Sequence, residues 1–267
     1  MTTPGSPSSR RVALRGVLPW LAPLGTVLLW QLASRLGWLP GRLLPAPLAI
    51  LGAGIEGLRH QHLLLHLAVS CGRALAGTVI GTSIGLMLGL LTGLSRPMQL
   101  VLDGPLQMMR AVPALALVPL VILWFGLGET AKIFIVVITV VFPVYLNTFH
   151  GVRSVDPQLL EMARVYDLRG IALYRHVILP GAMPSVLVGL RFALGMSWLV
   201  IIVAETLGAS SGLGYLAATA REFMQMDTLV LTIVLWALLG KAADLLARRL
   251  ERWLLPWQPA AQRLSVE

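Results

Sequence analysis

The chain has 267 residues, of which 57% are hydrophobic and only 12% charged. At a mean hydropathy of +0.80, a soluble domain would leave far too much apolar surface in water, so the composition calls for a bilayer. The net charge of +9 is scattered over loops and ends without an aromatic-interleaved basic face, which argues against nucleic acid as a partner, and the lone Cys71 excludes an intrachain disulfide.

A hydrocarbon core about 30 Å thick takes about 20 apolar helical residues. Six segments reach that length, 17–36, 72–94, 107–127, 131–151, 182–204 and 228–247, and predict an all-α integral membrane protein. Residues 1–16 read as a disordered cytoplasmic tail, 17–62 as the first span with a periplasmic amphipathic segment, 63–250 as the transmembrane core and 251–267 as a cytoplasmic tail. Pro19 and Pro23 inside a long first span, with no small-residue cleavage site after it, argue against a removed signal. Residues 48–68 are amphipathic and suit the membrane surface. Their His60, His62 and His66 have only Glu56 nearby, so no metal site is expected.

Span two carries Gly77, Gly81, Gly85, Gly89 and Gly93, an unbroken ladder at four-residue spacing. Such a face lets another backbone approach closely, either a helix of the same chain or a second copy. Span three holds Pro113 and Pro119, and span four Pro143; prolines bend helices, which makes these candidate hinges. Arg73, Glu129 and Lys132 sit near span ends, where snorkelling explains them. Arg110 and Arg191 lie just inside their spans and Glu205 just past the fifth, so these three are candidates for a pathway.

Lysine and arginine near span ends set orientation. Arg10, Arg11, Arg15, Arg96, Arg153, Arg164, Arg169, Arg175, Arg248, Arg249, Arg252 and Arg263 fall on one side, against Arg35, Arg42, Arg59, Lys132 and Arg221 on the other. Both termini and the loop 153–181 are therefore expected in the cytoplasm. That loop is a basic island between two spans. Asp156 and Pro157 make a good helix start, Leu159, Leu160, Ala163, Tyr166 and Leu168 give one apolar side, and Gly170 can take the positive φ that ends a helix. Two short helices joined at a glycine would form a protrusion suited to a cytosolic partner's groove.

Enzymatic motifs are missing. Gly240-Lys241 lacks the rest of a Walker A sequence, so the chain is not expected to hydrolyse ATP, and no cofactor is implied. Gly208-Ala209-Ser210-Ser211-Gly212 matches GxSxG, but it follows a membrane helix rather than a strand, and reads as a flexible glycine-serine loop.

The island's Glu161-Met162-Ala163, Gly170 and Ile178-Leu179-Pro180 resemble the EAA loop of bacterial ABC importer permeases, with Met162 where alanine is usual. Segments such as RAVPALALVPLVILWFGLGETAKIF and HVILPGAMPSVLVGLRFALGMSWL extend the resemblance over roughly 12–258, toward the nitrate, taurine and alkanesulfonate branch and most of all to permeases for aliphatic sulfonates. The resemblance implies a type I importer fold with six transmembrane helices in the bacterial inner membrane. It also implies a second copy of the chain, two cytoplasmic ATPase subunits and a periplasmic substrate-binding protein. Glu161 and Ala163 would lie in the ATPase-docking helix, Gly170 at its turn, and Leu179 and Pro180 where the chain re-enters the membrane.

Overall fold

Inside a bilayer every backbone N–H and C=O needs a partner from the chain itself, which leaves long apolar runs little choice but helix. The computed structural model describes residues 9–257, with side chains from residue 21 onward, and its regular elements there are all helical. In order they are α1 (Ser9–Arg35), α2 (Pro47–His60), α3 (Leu63–Leu94), α4 (Arg96–Ala111), a 3-10 turn (Ala114–Leu117) and α5 (Val118–Phe125). There follow α6 (Glu129–Arg153), α7 (Pro157–Val165), α8 (Gly170–Leu173), a π-turn (Tyr174–Ile178), α9 (Leu179–Thr206), α10 (Leu213–Glu222) and α11 (Met226–Leu254). The expected tails at 1–8 and 258–267 lie outside the described residues.

Among the described residues four stretches are long and apolar enough to cross a membrane: Leu63–Leu94, Glu129–Arg153, Gly170–Thr206 and Met226–Leu254. The third expected span, 107–127 with Pro113 and Pro119 inside it, is sharply broken and begins earlier than expected. It is a pair, Arg96–Ala111 and Ala114–Phe125, bent by 83°. The bend falls at Val112-Pro113, where the proline ring pushes Val112 to extended backbone (ψ 119°). The amphipathic stretch 48–68 is not one element either: α2 stops at His60, His62 takes φ +49°, and α3 starts at Leu63, nine residues before the expected span. The expected first span, 17–36, coincides with α1 up to Arg35.

The glycine ladder explains how α3 is placed. A Cβ on Gly77, Gly81, Gly85, Gly89 or Gly93 would meet Val136, Val140, Val144, Thr148 or Val152 of α6 at 2.5–2.9 Å. These are β-branched residues at the same four-residue spacing, so ridge faces groove along the whole contact. Both series rise together, so α3 and α6 run parallel, and residues 95–128 must return the chain along the length of α3. On its other side α6 packs against α9. Gly151 faces Ala182 and Ser185, and Gly189 faces Pro143 and Asn147, so this pair is antiparallel. Val136, Val140 and Val144 are fully enclosed. Lipid-sized apolar exposure remains elsewhere, as at Leu100, Leu123 and Phe192.

By contact density the chain forms two units, Met1–Leu63 with Ala217–Ile233, and Leu64–Leu216 with Val234–Glu267. Within the first, Gln31 Oε1 accepts from the Leu48 N–H at 3.1 Å, and Gly54 leaves room for Leu231. The second holds the helices and loops that follow.

Candidate functional site

The loop 153–181 builds its protrusion from local chemistry. Asp156 caps α7 by accepting from the Gln158 N–H at 2.9 Å, and Pro157 occupies the first turn, where a missing N–H costs nothing. Leu168 N–H bonds Ala163 O at 2.9 Å and Asp167 N–H bonds Arg164 O at 3.0 Å, a Schellman closure. Its left-handed residue is Asp167 (φ +57°), not Gly170 as the sequence suggests. Gly170 is also left-handed (φ +54°), but it begins α8. Nothing lies within 4 Å of its missing Cβ, so backbone conformation alone calls for glycine there.

Ala163 is buried and anchors α7, while Glu161 is exposed. Leu159, Met162, Val165, Tyr166 and Ile171 project as an exposed apolar set, flanked by the exposed Arg164, Arg169 and Arg175. Such a patch rimmed by charge has the composition of a protein-docking surface. Leu179 and Pro180 are half-buried and do not start a separate helix. Pro180 cannot donate to His176, and the π-turn shifts the pattern so that Leu179 N–H reaches Tyr174 O. The helix therefore runs through, from α8 to the end of α9.

At the opposite end of α9, Glu205 is 1% exposed and both its oxygens are filled. Oε1 accepts from Ser70 (2.8 Å) and Arg73 Nη1 (2.8 Å), and Oε2 from Ser70 (2.7 Å) and the Gly214 N–H (2.9 Å). Arg73 also grips Glu129 through Nε at 2.5 Å and Nη2 at 2.6 Å, and Lys132 bonds Glu129 at 3.3 Å. Two cations and two carboxylates thus close a neutral cluster joining α3, α6 and α9. Arg73 and Lys132 are buried, which corrects the snorkelling reading. Both Glu205 oxygens are thus engaged by partners within the chain.

The segment after α9 is pinned, not flexible. Ser211 O and Oγ accept from Arg73, Gly212 N–H reaches His66 Nδ1 at 3.0 Å, and Leu213 N–H reaches Ser70 Oγ at 2.8 Å. Gly212 has φ +115°, and a Cβ there would stand 2.4 Å from the Glu205 carboxyl, so only glycine fits. His66 also stacks on Tyr215. Among the described residues no metal-holding group of His, Cys, Asp or Glu converges.

Of the remaining candidates, Arg110 is exposed on the last turn of α4, beside the 83° bend. Arg191 lies against Asp244 of α11, with Nη2 at 2.7 Å and Nε at 2.9 Å from Oδ1. Pro113 caps the 3-10 turn, Pro119 stands in the first turn of α5 and Pro143 inside α6. Sequence reasoning missed Ser70 and Asp244 as partners. The signal was available for the cluster: charges of both signs lie at those ends of spans two, four and five that the up-and-down chain path brings to one level.

A family model described as the binding-protein-dependent transport system inner membrane component matches residues 81–256. The chain is 57% identical over 244 residues to the Escherichia coli (strain K12) protein named aliphatic sulfonates transport permease protein SsuC, covering 91% of this chain and 93% of that one. The Bacillus subtilis (strain 168) protein of the same name is 42% identical, with 89% and 86% covered. The E. coli taurine transport system permease protein TauC is 34% identical, with 96% and 94% covered. In fold the chain is similar to a crystal structure of an amino acid ABC transporter, at TM-score 0.59 and 20% identity over 73% of this chain and 97% of that one. The type I importer architecture is therefore shared with that transporter. From its helices to its family match, this chain belongs to the binding-protein-dependent transport system inner membrane components, the ABC importer permeases that work with a substrate-binding protein and an ATPase.

Proposed function

We propose that the chain is the membrane subunit of an ATP-driven importer of aliphatic sulfonates. The observation that carries this is the 57% identity to SsuC along nearly the whole chain, against 34% to the taurine permease. In this reading two copies of the chain span the inner membrane, each with six helices and cytoplasmic termini, and two ATPase subunits bind below. The chain itself catalyses nothing.

The loop 153–181 is the mechanical link. The exposed Leu159, Met162, Val165, Tyr166 and Ile171 would seat in an ATPase groove, with Glu161 and the arginines at its rim. Because the π-turn joins α8 to α9 without a break, displacement of the docked segment is carried directly along α9. α9 is packed tightly on α6, and α6 on α3, so the three would move together and swing relative to softer points. The bend at Pro113, with Pro119 and Pro143, is the candidate hinge set. Nucleotide and the loaded binding protein must each favour one of two states, since a ligand of equal affinity for both shifts nothing.

A strain lacking its own sulfonate permease, carrying the matching ATPase and binding protein, tests the reading. Expression of this chain is expected to restore growth on ethanesulfonate as sole sulfur source. Growth restored only on taurine would overturn the substrate and keep the architecture.

A further inference from the structure

Arg191 of α9 and Asp244 of α11 form an ion pair. Arg191 stands twelve residues from the start of α9 and fifteen from its end, about 18 and 22 Å along the axis at about 1.5 Å per residue. Asp244 stands three residues before the end of the expected span 228–247, and Arg248, which shares it, lies just past that end. The pair is not enclosed: the Arg191 side chain is 41% exposed and that of Asp244 27%. Ionisable groups at membrane depth face protein or a water-filled space, not lipid tails. This is expected of Arg191, which lies nine residues inside the expected span 182–204.

The surroundings have a particular chemistry. A cleft of about 550 Å³ is lined by Val188, Phe192, Met196 and Leu199 beside Arg191 and Asp244. Its walls are apolar, its lining charges are Arg191 and Asp244, and Lys241 and Arg248 stand beside it on α11. Asp244 is shared among three cations, with Arg191 on Oδ1, Arg248 on Oδ2 at 2.9 Å and Lys241 at 3.9 Å from Oδ2. If Arg191 turned away, Asp244 would keep a cation on its other oxygen. The guanidinium is therefore a detachable partner. It is planar, permanently charged and suited to binding two oxygens of one anion.

We propose that Arg191 is a transit site for the substrate's sulfonate head group, which displaces Asp244 from it, while the alkyl tail lies on the apolar wall of the cleft. This inference rests on the sulfonate-importer reading above. Asp244 sets the strength of the site: it stays in competition for Arg191, so the anion is held briefly and released. A tail bearing an ammonium group would meet an apolar wall and surplus positive charge, so the cleft prefers plain alkanesulfonates to taurine.

The test uses the complete transporter in liposomes with its ATPase and binding protein, reading both ethanesulfonate uptake and stimulation of ATP hydrolysis by the loaded binding protein. Arg191→Gln is expected to cut uptake by about tenfold or more, as loss of a charge-assisted pair would, while stimulated hydrolysis stays within about twofold. Asp244→Asn is expected to lower the KM for ethanesulfonate together with the maximal rate. The double variant R191Q/D244N separates transit from packing. A merely structural pair is neutralised on both sides and uptake returns; a transit site stays impaired. Recovery of uptake in the double variant, or unchanged uptake in Arg191→Gln, would overturn the proposal alone. A wild-type transporter that carries another solute but no alkanesulfonate would overturn the importer reading and this inference with it.

Discussion

Gly89→Ala is the most direct probe of how the helices are held. Helices in lipid gain little from the hydrophobic effect and depend on close packing, so one methyl group at a tight point counts. A Cβ at Gly89 would stand 2.5 Å from Thr148 Cβ and 2.8 Å from both Thr148 Cγ2 and Tyr145 O. Ordinary contact starts near 3.4 Å. The helices would have to separate locally by about 0.9 Å, because a backbone carbonyl and a β-carbon cannot rotate away. Overpacking of this kind costs about 1–3 kcal/mol, partly offset by the better helix propensity of alanine, about 1 kcal/mol. For a chain of this size each kcal/mol moves the midpoint by about 2–4 °C, so a fall of several degrees is expected. Gly72→Ala is the matched control, on the same helix with nothing within 4 Å. It should melt at or above the wild-type temperature. Tryptophan fluorescence of the purified permease during heating can follow both, since the chain has eight tryptophans. Equal midpoints for the two variants would refute the α3–α6 contact as described.

Three other perturbations have defined outcomes. Arg73→Met strands the Glu205 carboxylate, which is 1% exposed, and should cost about 3–5 kcal/mol; Glu129→Gln, at a carboxylate 57% exposed, should cost about 0–1 kcal/mol. Monodisperse protein remaining after a heat step ranks the two, and the reverse order would contradict the cluster's role. Gly170→Val forces a β-branched residue to φ +54°, at about 1–2 kcal/mol or more. Uptake and ATPase binding should both fall while membrane insertion is unchanged, with Gly170→Asn milder; full retention of both in the valine variant would show the coupling assignment wrong. Pro113→Ala lets α4 and α5 straighten and should slow uptake without lowering the melting temperature, and unchanged uptake would remove Pro113 from the hinge set.

Hydropathy located the helices well because lipid imposes one rule along each span: α6 and α9 exceed their expected lengths by only a few residues. It failed where a second rule competes. At Val112-Pro113 the local geometry of proline breaks a run that is apolar enough to span. The ladder of Gly77 to Gly93 was visible, but its partner was not sought, although Val136, Val140, Val144, Thr148 and Val152 repeat with the same period. The start of α7 at Asp156 was legible because a cap and a proline act locally. Its end was not, because Asp167 takes the left-handed position that glycine usually occupies. Arg73, Glu129 and Glu205 are far apart in sequence, and only the pairing of α3, α6 and α9 brings them together. Asp244 escaped notice for the same reason.

Import of aliphatic sulfonates through this chain, driven by ATP, is open to direct measurement. Labelled ethanesulfonate uptake into liposomes that hold the permease with its ATPase and binding protein, with taurine and nitrate as competitors, tests it most directly. Uptake is expected to require ATP and the binding protein and to resist both competitors. Uptake that continues without ATP, or ATPase stimulation only by a binding protein loaded with another solute, would contradict it.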